Sequence, residues 1–219
     1  MYAYISEDFG SLHFFDAEAP IVSAESIDRD KSFFAARYGK GNADDYLNCP
    51  LTKEEYDAFY EALVTAERVN AHEFEKGEIF EGCMPVEVMA ARGRDALRFG
   101  PMRPVGLTDP KTGRRAYAVH QLRKENAAGD MYNLVGFQTN LKFGEQRRVF
   151  GMIPALANAE YLRYGVMHRN AYIDAPRSID MFFRAKKNGR VFIAGQLSGV
   201  EGYVESIASG KAAAMHLLR

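Results

Sequence analysis

One stretch of the chain, residues 192–206, restricts its possible folds more than any other, and it reads F-I-A-G-Q-L-S-G-V-E-G-Y-V-E-S. Apolar residues lead into Gly195, Gly199 and Gly202, and a run rich in alanine follows. Glycine adopts backbone conformations, and permits close approaches, that a Cβ atom would prevent. Helix N-terminal amides carry partial positive charge, which favours anions. The stretch therefore predicts a buried strand that passes through glycines into a helix, a junction suited to a phosphate or a flavin.

The apolar periodicity of the whole chain predicts an α/β protein in three segments, residues 1–41, 42–156 and 157–219. The middle segment mixes helices with strands of antiparallel type, which indicates an α+β insertion. Strands are predicted near residues 12–16, 19–23, 116–122, 131–139, 161–167, 181–185 and 191–194. Helices are predicted over residues 53–70, 85–97, 144–153 and 202–217.

The helix predicted over residues 53–70 has the clearest local signals. Thr52 and Glu55 form a capping-box pattern at its start. Tyr56, Phe59 and Tyr60 follow at helical spacing. We interpret this aromatic stripe as core in preference to a surface that stacks on nucleic-acid bases.

Composition excludes several classes of protein. No apolar run reaches the roughly 18 residues of a transmembrane helix, and no leader pattern is present, so the expectation is a cytoplasmic protein without a membrane partner. The two cysteines form no C-x-x-C motif and have no paired histidines, so we expect reduced thiols and no metal site.

Charge is balanced overall but uneven along the chain. The net charge of −1 gives no general argument for a polyanionic partner. Arginine and lysine nevertheless crowd residues 92–148, and this basic stretch either follows phosphates or is a solvated surface with no partner. The candidate RNA-binding residues are Arg92, Arg94, Arg147 and Arg148.

Seven blocks of sequence, together with the glycine stretch, resemble one known family in the family's own order. The resemblance is to the folate- and FAD-dependent tRNA (uracil-5-)-methyltransferases, the TrmFO family. Three departures are local: Arg103 replaces a usual lysine, His120 interrupts a family-like run, and Ala171 replaces a usual threonine. The blocks are residues 15–22, 26–28, 46–50, 80–87, 98–107, 133–139 and 163–170.

The resemblance implies a portion of a tRNA-modifying flavoenzyme. Such an enzyme transfers a methylene from 5,10-methylenetetrahydrofolate, with reduction through FAD and NAD(P)H, to carbon 5 of the uridine at position 54 of tRNA. The first and third segments would then be parts of a Rossmann-like FAD-binding domain, and the second would be the insertion domain on the side of the tRNA.

A G-x-G-x-x-G turn after a strand is expected in such a flavoprotein. Residues 39–44 contain the nearest string, which lacks the third glycine and is interpreted as a loop. We therefore expect that the N-terminal FAD-binding portion is absent and that the fragment alone is inactive.

Cys83 is the candidate nucleophile. Carbon 5 of uracil becomes reactive when a nucleophile adds to carbon 6, and a thiolate with a lowered pKa at a helix start can do so. Cys83 lies just before Pro85, at a predicted helix start, and the resemblance places the family's attacking cysteine in the same block. The alternative is a buried small residue, which is the favoured interpretation of Cys49.

The remaining candidate residues would bind cofactors. His168 is predicted at the end of a strand, where its ring could stack on a flat heterocycle, and the resemblance implies that this heterocycle is the folate pterin. The alternative is a hydrogen-bonded structural histidine. Asn170 is assigned to the same cofactor-binding group. The residues expected to approach the flavin ring and pyrophosphate are Gly195, Gln196, Gly199, Val200, Gly202 and Tyr203.

Two other functions remain open from the sequence. One is a truncated, non-catalytic RNA-binding module, which the missing dinucleotide motif would explain. The other is a GidA-related flavin oxidoreductase. The strings G-V-E-G-Y-V-E-S and F-E-G-C-M-P favour the methyltransferase.

Overall fold

The computed structural model describes residues 11–42, 44–69 and 84–218. The chain divides into two compact units. The large unit is Asp16–His168, and the small unit combines Met1–Phe15 with Arg169–Arg219. These boundaries differ from the predicted ones at residues 41 and 156, because the main sheet takes strands from all three predicted segments. The functions assigned to the segments remain predictions.

The large unit is built around a six-stranded sheet with the order β3-β4-β5-β6-β2-β7. Every pairing within it is antiparallel. Strands β1 and β8 form a separate two-stranded sheet. The strands of the described residues are β1 (Ser11–Ala17), β2 (Ile21–Ser23), β3 (Phe33–Phe34), β4 (Tyr46–Leu51), β5 (Ala118–Lys124), β6 (Met131–Leu134), β7 (Tyr161–Arg163) and β8 (Met167–Ile173).

The described residues form six α-helices, of which four begin within one residue of the predicted starts at residues 53, 85, 144 and 202. They are α1 (Lys53–Val64), α2 (Val86–Ala90), α3 (Ala96–Phe99), α4 (Phe143–Phe150), α5 (Ala175–Ser178) and α6 (Tyr203–Leu217). Helix α1 starts at the predicted capping box, in which the Glu55 amide donates to Thr52 Oγ1 at 3.2 Å and the Thr52 amide donates to Glu55 Oε2 at 2.7 Å. Tyr56 and Phe59 are fully buried, so their interpretation as core is confirmed.

Helix α1 ends at Val64, earlier than the prediction of residue 70. The Thr65 hydroxyl donates to the Glu61 carbonyl at 2.7 Å. Beyond it Arg68 forms an isolated bridge with Leu141, and the Val69 amide donates to the Asn140 carbonyl at 2.8 Å. A contact distant in sequence therefore replaces the last helical turns.

Glycines interrupt three other predicted elements. The helix predicted over residues 85–97 is two helices, α2 and α3, because Gly93 has a φ of +141°. The strand predicted over residues 131–139 ends at Leu134, since Gly136 has a φ of +76° in the turn that follows. The strand predicted over residues 161–167 is divided into β7 and β8 around Gly165.

The small unit has less regular structure than predicted. The strands expected at residues 181–185 and 191–194 are wrong, because only the isolated bridges Ile179↔Ala185 and Arg184↔Phe192 form there. Asp180 turns the chain, since its Oδ1 accepts from the Phe182 amide at 2.8 Å and from the Arg184 amide at 3.0 Å. The apolar cluster of this unit consists of Ile173, Ile179, Ala185 and Ile193.

Helix α6 buries only small side chains. Ser209 and Ala213 are its buried residues. A row of apolar side chains on another face is exposed, and we call it the α6 stripe. Tyr203 in this row is 93% exposed. The α6 stripe comprises Tyr203, Val204, Ile207, Met215 and Leu218.

Candidate functional site

The glycine junction lies in the small unit and uses glycine as the sequence predicts. Gly195, Gly199 and Gly202 have φ values of +67°, +82° and +96°, which other residues rarely adopt. A 3-10 helix spans Gly195–Ser198. The Gly195 amide donates to Ser209 Oγ at 2.8 Å, so the loop is attached to α6. The expected entry strand is replaced by an extended segment, but the passage through glycine into a helix is as predicted.

The N-terminus of α6 has no side-chain cap. Gly202 is the N-cap, and among the described residues no side-chain cap hydrogen bond forms at the first amides of the helix. Gln196, Gly199 and Tyr203 are exposed beside it, and Val200 is partly exposed. Backbone with positive φ and uncapped amides fit a dinucleotide cofactor that is held mainly by main-chain contacts.

Glu205 changes which part of a cofactor the start of α6 can hold. It lies in the first turn of α6, and its carboxylate occupies the space beside the Gly202 Cα. A carboxylate at this point repels phosphate and accepts hydrogen bonds from hydroxyl groups. The helix start therefore suits the hydroxyl-bearing or ring portion of a cofactor better than its pyrophosphate.

His168 lies in the large unit, at the second residue of β8. It is therefore near the start of a strand and not at the end as predicted, because the predicted strand is divided around Gly165. Its Nε2 is 3.4 Å from Glu18 Oε1, and Arg163 Nη2 is 3.5 Å from Glu18 Oε2. The imidazole is 49% exposed and the Glu18 side chain 40% exposed. His168 is thus an accessible ring next to a carboxylate. Asn170, two residues further along β8, is partly buried.

A buried glutamine fixes the turn that leads to His168. Gln146 Nε2 donates to the Gly165 carbonyl at 2.8 Å, and the Gly165 amide donates to Gln146 Oε1 at 2.8 Å. A Cβ on Gly165 would lie 2.7 Å from the Glu18 carbonyl oxygen and 2.7 Å from Thr139 Cγ2. Only glycine fits this turn, and the position of β8 depends on it.

Cys83, the candidate nucleophile, lies outside the described residues, so its assignment stays a prediction. Helix α2 follows it closely and carries a buried carboxylate, Glu87. Thr139 Oγ1 donates to Glu87 Oε2 at 2.9 Å, and the Asn140 amide donates to Glu87 Oε1 at 2.8 Å. Burial raises the pKa of Glu87, and these hydrogen bonds oppose the shift. Buried carboxyl groups with shifted pKa values are frequent at functional sites.

Cys49 has the environment of an inert thiol. It is fully buried in β4, opposite His120 of β5. Burial raises the pKa of the thiol to about 12. A thiol in this state is a poor nucleophile near neutral pH, in agreement with its interpretation as a small core residue.

The four candidate RNA-binding arginines do not form one cluster of free charges. Arg94 Nε is 3.0 Å from Asp57 Oδ1, and its guanidinium also pairs with Glu61. Arg148 Nη2 is 2.6 Å from Glu145 Oε2. Arg147 and Arg148 both lie on α4, whereas Arg92 and Arg94 lie between α2 and α3. Their role in RNA binding stays a prediction.

Sequence reasoning missed the buried polar residues that organise the large unit. Glu87, Thr139 and Gln146 are all buried. Glu87 and Thr139 stand inside family-like blocks. Glu87 also interrupts an otherwise apolar run, which was the signal available, whereas Thr139 lies between two polar residues and offered no such signal. Their partners could not be named, because each contact joins residues distant in sequence.

No helix of the described residues is long and apolar enough to cross a membrane. Within residues 11–42, 44–69 and 84–218, no group of three or more His, Cys, Asp or Glu side chains is arranged to hold a metal ion.

Two crystal structures of one protein share the fold of this chain. The fold resembles Aquifex aeolicus GidA in its form II crystal, with a TM-score of 0.62 at 16% identity, over 98% of this chain and 33% of that chain. The form I crystal gives a TM-score of 0.62 at 14% identity, over 99% and 36% of the two chains. The predicted α/β class is confirmed.

The family model described as glucose inhibited division protein A matches residues 3–219, and the chain belongs to this family. Similar curated proteins carry the name methylenetetrahydrofolate-tRNA-(uracil-5-)-methyltransferase TrmFO. The Moorella thermoacetica protein is 64% identical over 208 residues, which are 95% of this chain and 47% of the relative. The Desulforudis audaxviator protein is 62% identical over 208 residues, which are again 95% of this chain and 47% of the relative. The resemblance to TrmFO is confirmed, and the chain spans about half the length of the curated relatives it matches.

Proposed function

We propose that the chain is a portion of a folate- and FAD-dependent tRNA (uracil-5-)-methyltransferase. The parent enzyme transfers a methylene from 5,10-methylenetetrahydrofolate to carbon 5 of the uridine at position 54 of tRNA, with NAD(P)H as reductant, in the cytoplasm. The observation that carries this proposal is 64% identity over 208 residues with a protein of that name. Identity of 16% with GidA makes the oxidoreductase alternative the weaker one.

The glycine junction supports the use of FAD. Its positive-φ glycines and the uncapped start of α6 suit a cofactor that main-chain amides approach closely. FAD, when bound, would supply the redox chemistry of the reaction. The residues of this chain would hold and orient it, and Glu205 would accept hydrogen bonds from cofactor hydroxyls.

Cys83 and His168 have separate roles in the proposal. Cys83 adds to carbon 6 of the target uracil, and the accessible imidazole of His168 stacks on the pterin. Glu18 contacts the His168 ring through Nε2 and so orients it. The target base lies inside the folded tRNA, so the enzyme must extract it before reaction.

The test joins residues 1–219 to the parts of the Moorella relative that the match leaves uncovered. The joined protein receives FAD, NAD(P)H, folate with a labelled methylene, and tRNA that lacks the modification. We expect label on the uridine at position 54. Cys83→Ser should keep flavin and tRNA affinity but lose transfer, because a hydroxyl stays protonated at neutral pH.

Cys49→Ser is the matched control and should retain transfer, since the Cys49 thiol is fully buried. A joined protein that binds flavin and tRNA but never labels the uridine would contradict the proposal. Loss of transfer in Cys49→Ser with retention in Cys83→Ser would show that the other cysteine is the nucleophile.

A further inference from the structure

A groove of about 450 Å³ on the large unit is lined by three arginines and no acidic residue. We call it the arginine groove. It lies beside α3 and the segment that leads into β5. Its lining residues are Arg98, Phe99, Arg103, Pro104, Val105, Arg115, Ala116 and Tyr117.

Arg98 is held in place within the arginine groove. Its Nε donates to the Tyr117 carbonyl at 3.0 Å, and its guanidinium carbon is 3.8 Å from the centroid of the Tyr117 ring. Asp95, outside the groove lining, pairs with Arg98 Nη1 at 2.7 Å. Arg98 is therefore an oriented cation whose donors lose little entropy when they bind a ligand.

Arg103 and Arg115 carry the uncompensated charge of the groove. Both are exposed, and neither side chain pairs with a carboxylate in the described part of the chain. Arg37 lies behind Arg103 and donates to the carbonyls of Arg103 and Val105. Burial and then the positive charge of Arg103 lower the pKa of Arg37. Guanidinium groups thus repel one another here, and an anionic ligand would relieve that repulsion.

The groove also presents aromatic surface. Phe99 is 81% exposed, and Tyr117 forms part of the wall. Proteins that bind single-stranded nucleic acid combine aromatic rings with guanidinium groups, because the bases stack on the rings and the phosphates pair with the cations. An acidic peptide would use the arginines but would gain little from Phe99.

A second cavity of about 640 Å³ continues this surface, since it shares Arg115, Ala116 and Tyr117 with the arginine groove. Lys31 and Arg114 line it, and so do Glu55 and Asp109. The two acids make this end less positive, so we assign the strongest phosphate contacts to the arginine groove itself. The continuity provides room for more than one nucleotide.

We propose that the arginine groove binds the backbone of an unpaired stretch of tRNA, with Arg103 and Arg115 on phosphates and Phe99 stacked on a base. The identity of the RNA rests on the proposed function. The location of the binding site does not rest on the proposed function, because it follows from the charge, exposure and shape of the arginine groove.

The test measures binding of the 219-residue chain to a tRNA transcript as salt is raised. Each phosphate contact contributes a log-log slope of about −0.7 to −0.9. Arg103→Gln with Arg115→Gln should therefore flatten the slope by about 1.4–1.8. Arg147→Gln with Arg148→Gln removes the same charge from α4 and tests the predicted RNA-binding role of that pair separately. Lys187→Gln with Arg190→Gln, at exposed residues of the small unit, is the matched control, with an expected change in slope below about 0.5.

Phe99→Ala separates RNA from an acidic peptide. It should weaken tRNA binding about 5- to 100-fold, without changing the slope, because it removes stacking and no charge. Polyglutamate should displace tRNA poorly. If polyglutamate competes equally well and Phe99→Ala has no effect, the ligand is an acidic polypeptide and the proposal is wrong.

Failure of the groove and failure of the proposed function have different signatures. An unchanged slope in the groove double variant, or flattening only in the α4 double variant, overturns the groove, even if the joined enzyme methylates tRNA. If the joined enzyme binds tRNA through the groove with the expected salt dependence but never methylates it, the proposed function is overturned instead. Circular dichroism of each variant checks that these exposed substitutions leave the fold intact.

Discussion

At the scale of single residues, His120 is the most unusual side chain of the large unit. It is fully buried, and neither ring nitrogen has a hydrogen-bond partner in the described part of the chain. Its ring centroid lies 3.8 Å from that of Phe137. Burial lowers the pKa of His120 to about 3, so the folded protein holds a neutral imidazole over most of the pH range.

This burial predicts a loss of stability in acid. Between pH 6.5 and about 3 the unfolded chain binds a proton at His120 and the folded chain does not, so the free energy of unfolding falls as pH falls. The term amounts to several kcal/mol, at about 1.4 kcal/mol for each pKa unit. His120→Leu should flatten urea-unfolding stability over this pH range. Equal pH profiles for His120→Leu and the unaltered chain would contradict this prediction.

At the scale of elements, the turn between β7 and β8 is the clearest case of one residue deciding a structure. Gly165→Ala should destabilise the protein by about 1–3 kcal/mol, because the new Cβ would overlap a backbone oxygen and Thr139. Gly144→Ala is the matched control on α4, where nothing lies within 4 Å of an added Cβ. It should stabilise by up to about 1 kcal/mol through helix propensity. Thermal unfolding measures both, and an unchanged unfolding temperature for Gly165→Ala would contradict this role of Gly165.

Element starts were more predictable than element ends. The capping box is local, so Thr52 and Glu55 predict the start of α1 correctly. Its end at Val64 depends on the pairing of Val69 with Asn140, which no local pattern contains. In the candidate site, the backbone needs of Gly195, Gly199 and Gly202 were predictable. The buried contacts of Glu87 and Gln146 were not, since their partners are far away in the chain.

At the scale of the whole molecule, the two units have unequal cores. The large unit packs many aromatic and aliphatic side chains against one face of the β4–β5 ladder. Among the described residues, the small unit buries one cluster of four apolar residues. Local stability follows buried apolar contact. Amides of the small unit, including those of α6, should therefore exchange with deuterium earlier than amides of β4 and β5. Equal protection of α6 and the β4–β5 ladder would contradict this expectation.

The α6 stripe has a consequence for the abundance and turnover of the chain in a cell. Tyr203, Val204 and Ile207 form a solvent-exposed apolar row. Chaperones and proteases bind such apolar surfaces on damaged proteins. Abundance would then follow from whether another surface covers the row, and not from folding alone. The steady-state level of the polypeptide, and its half-life after synthesis stops, become reporters of that coverage.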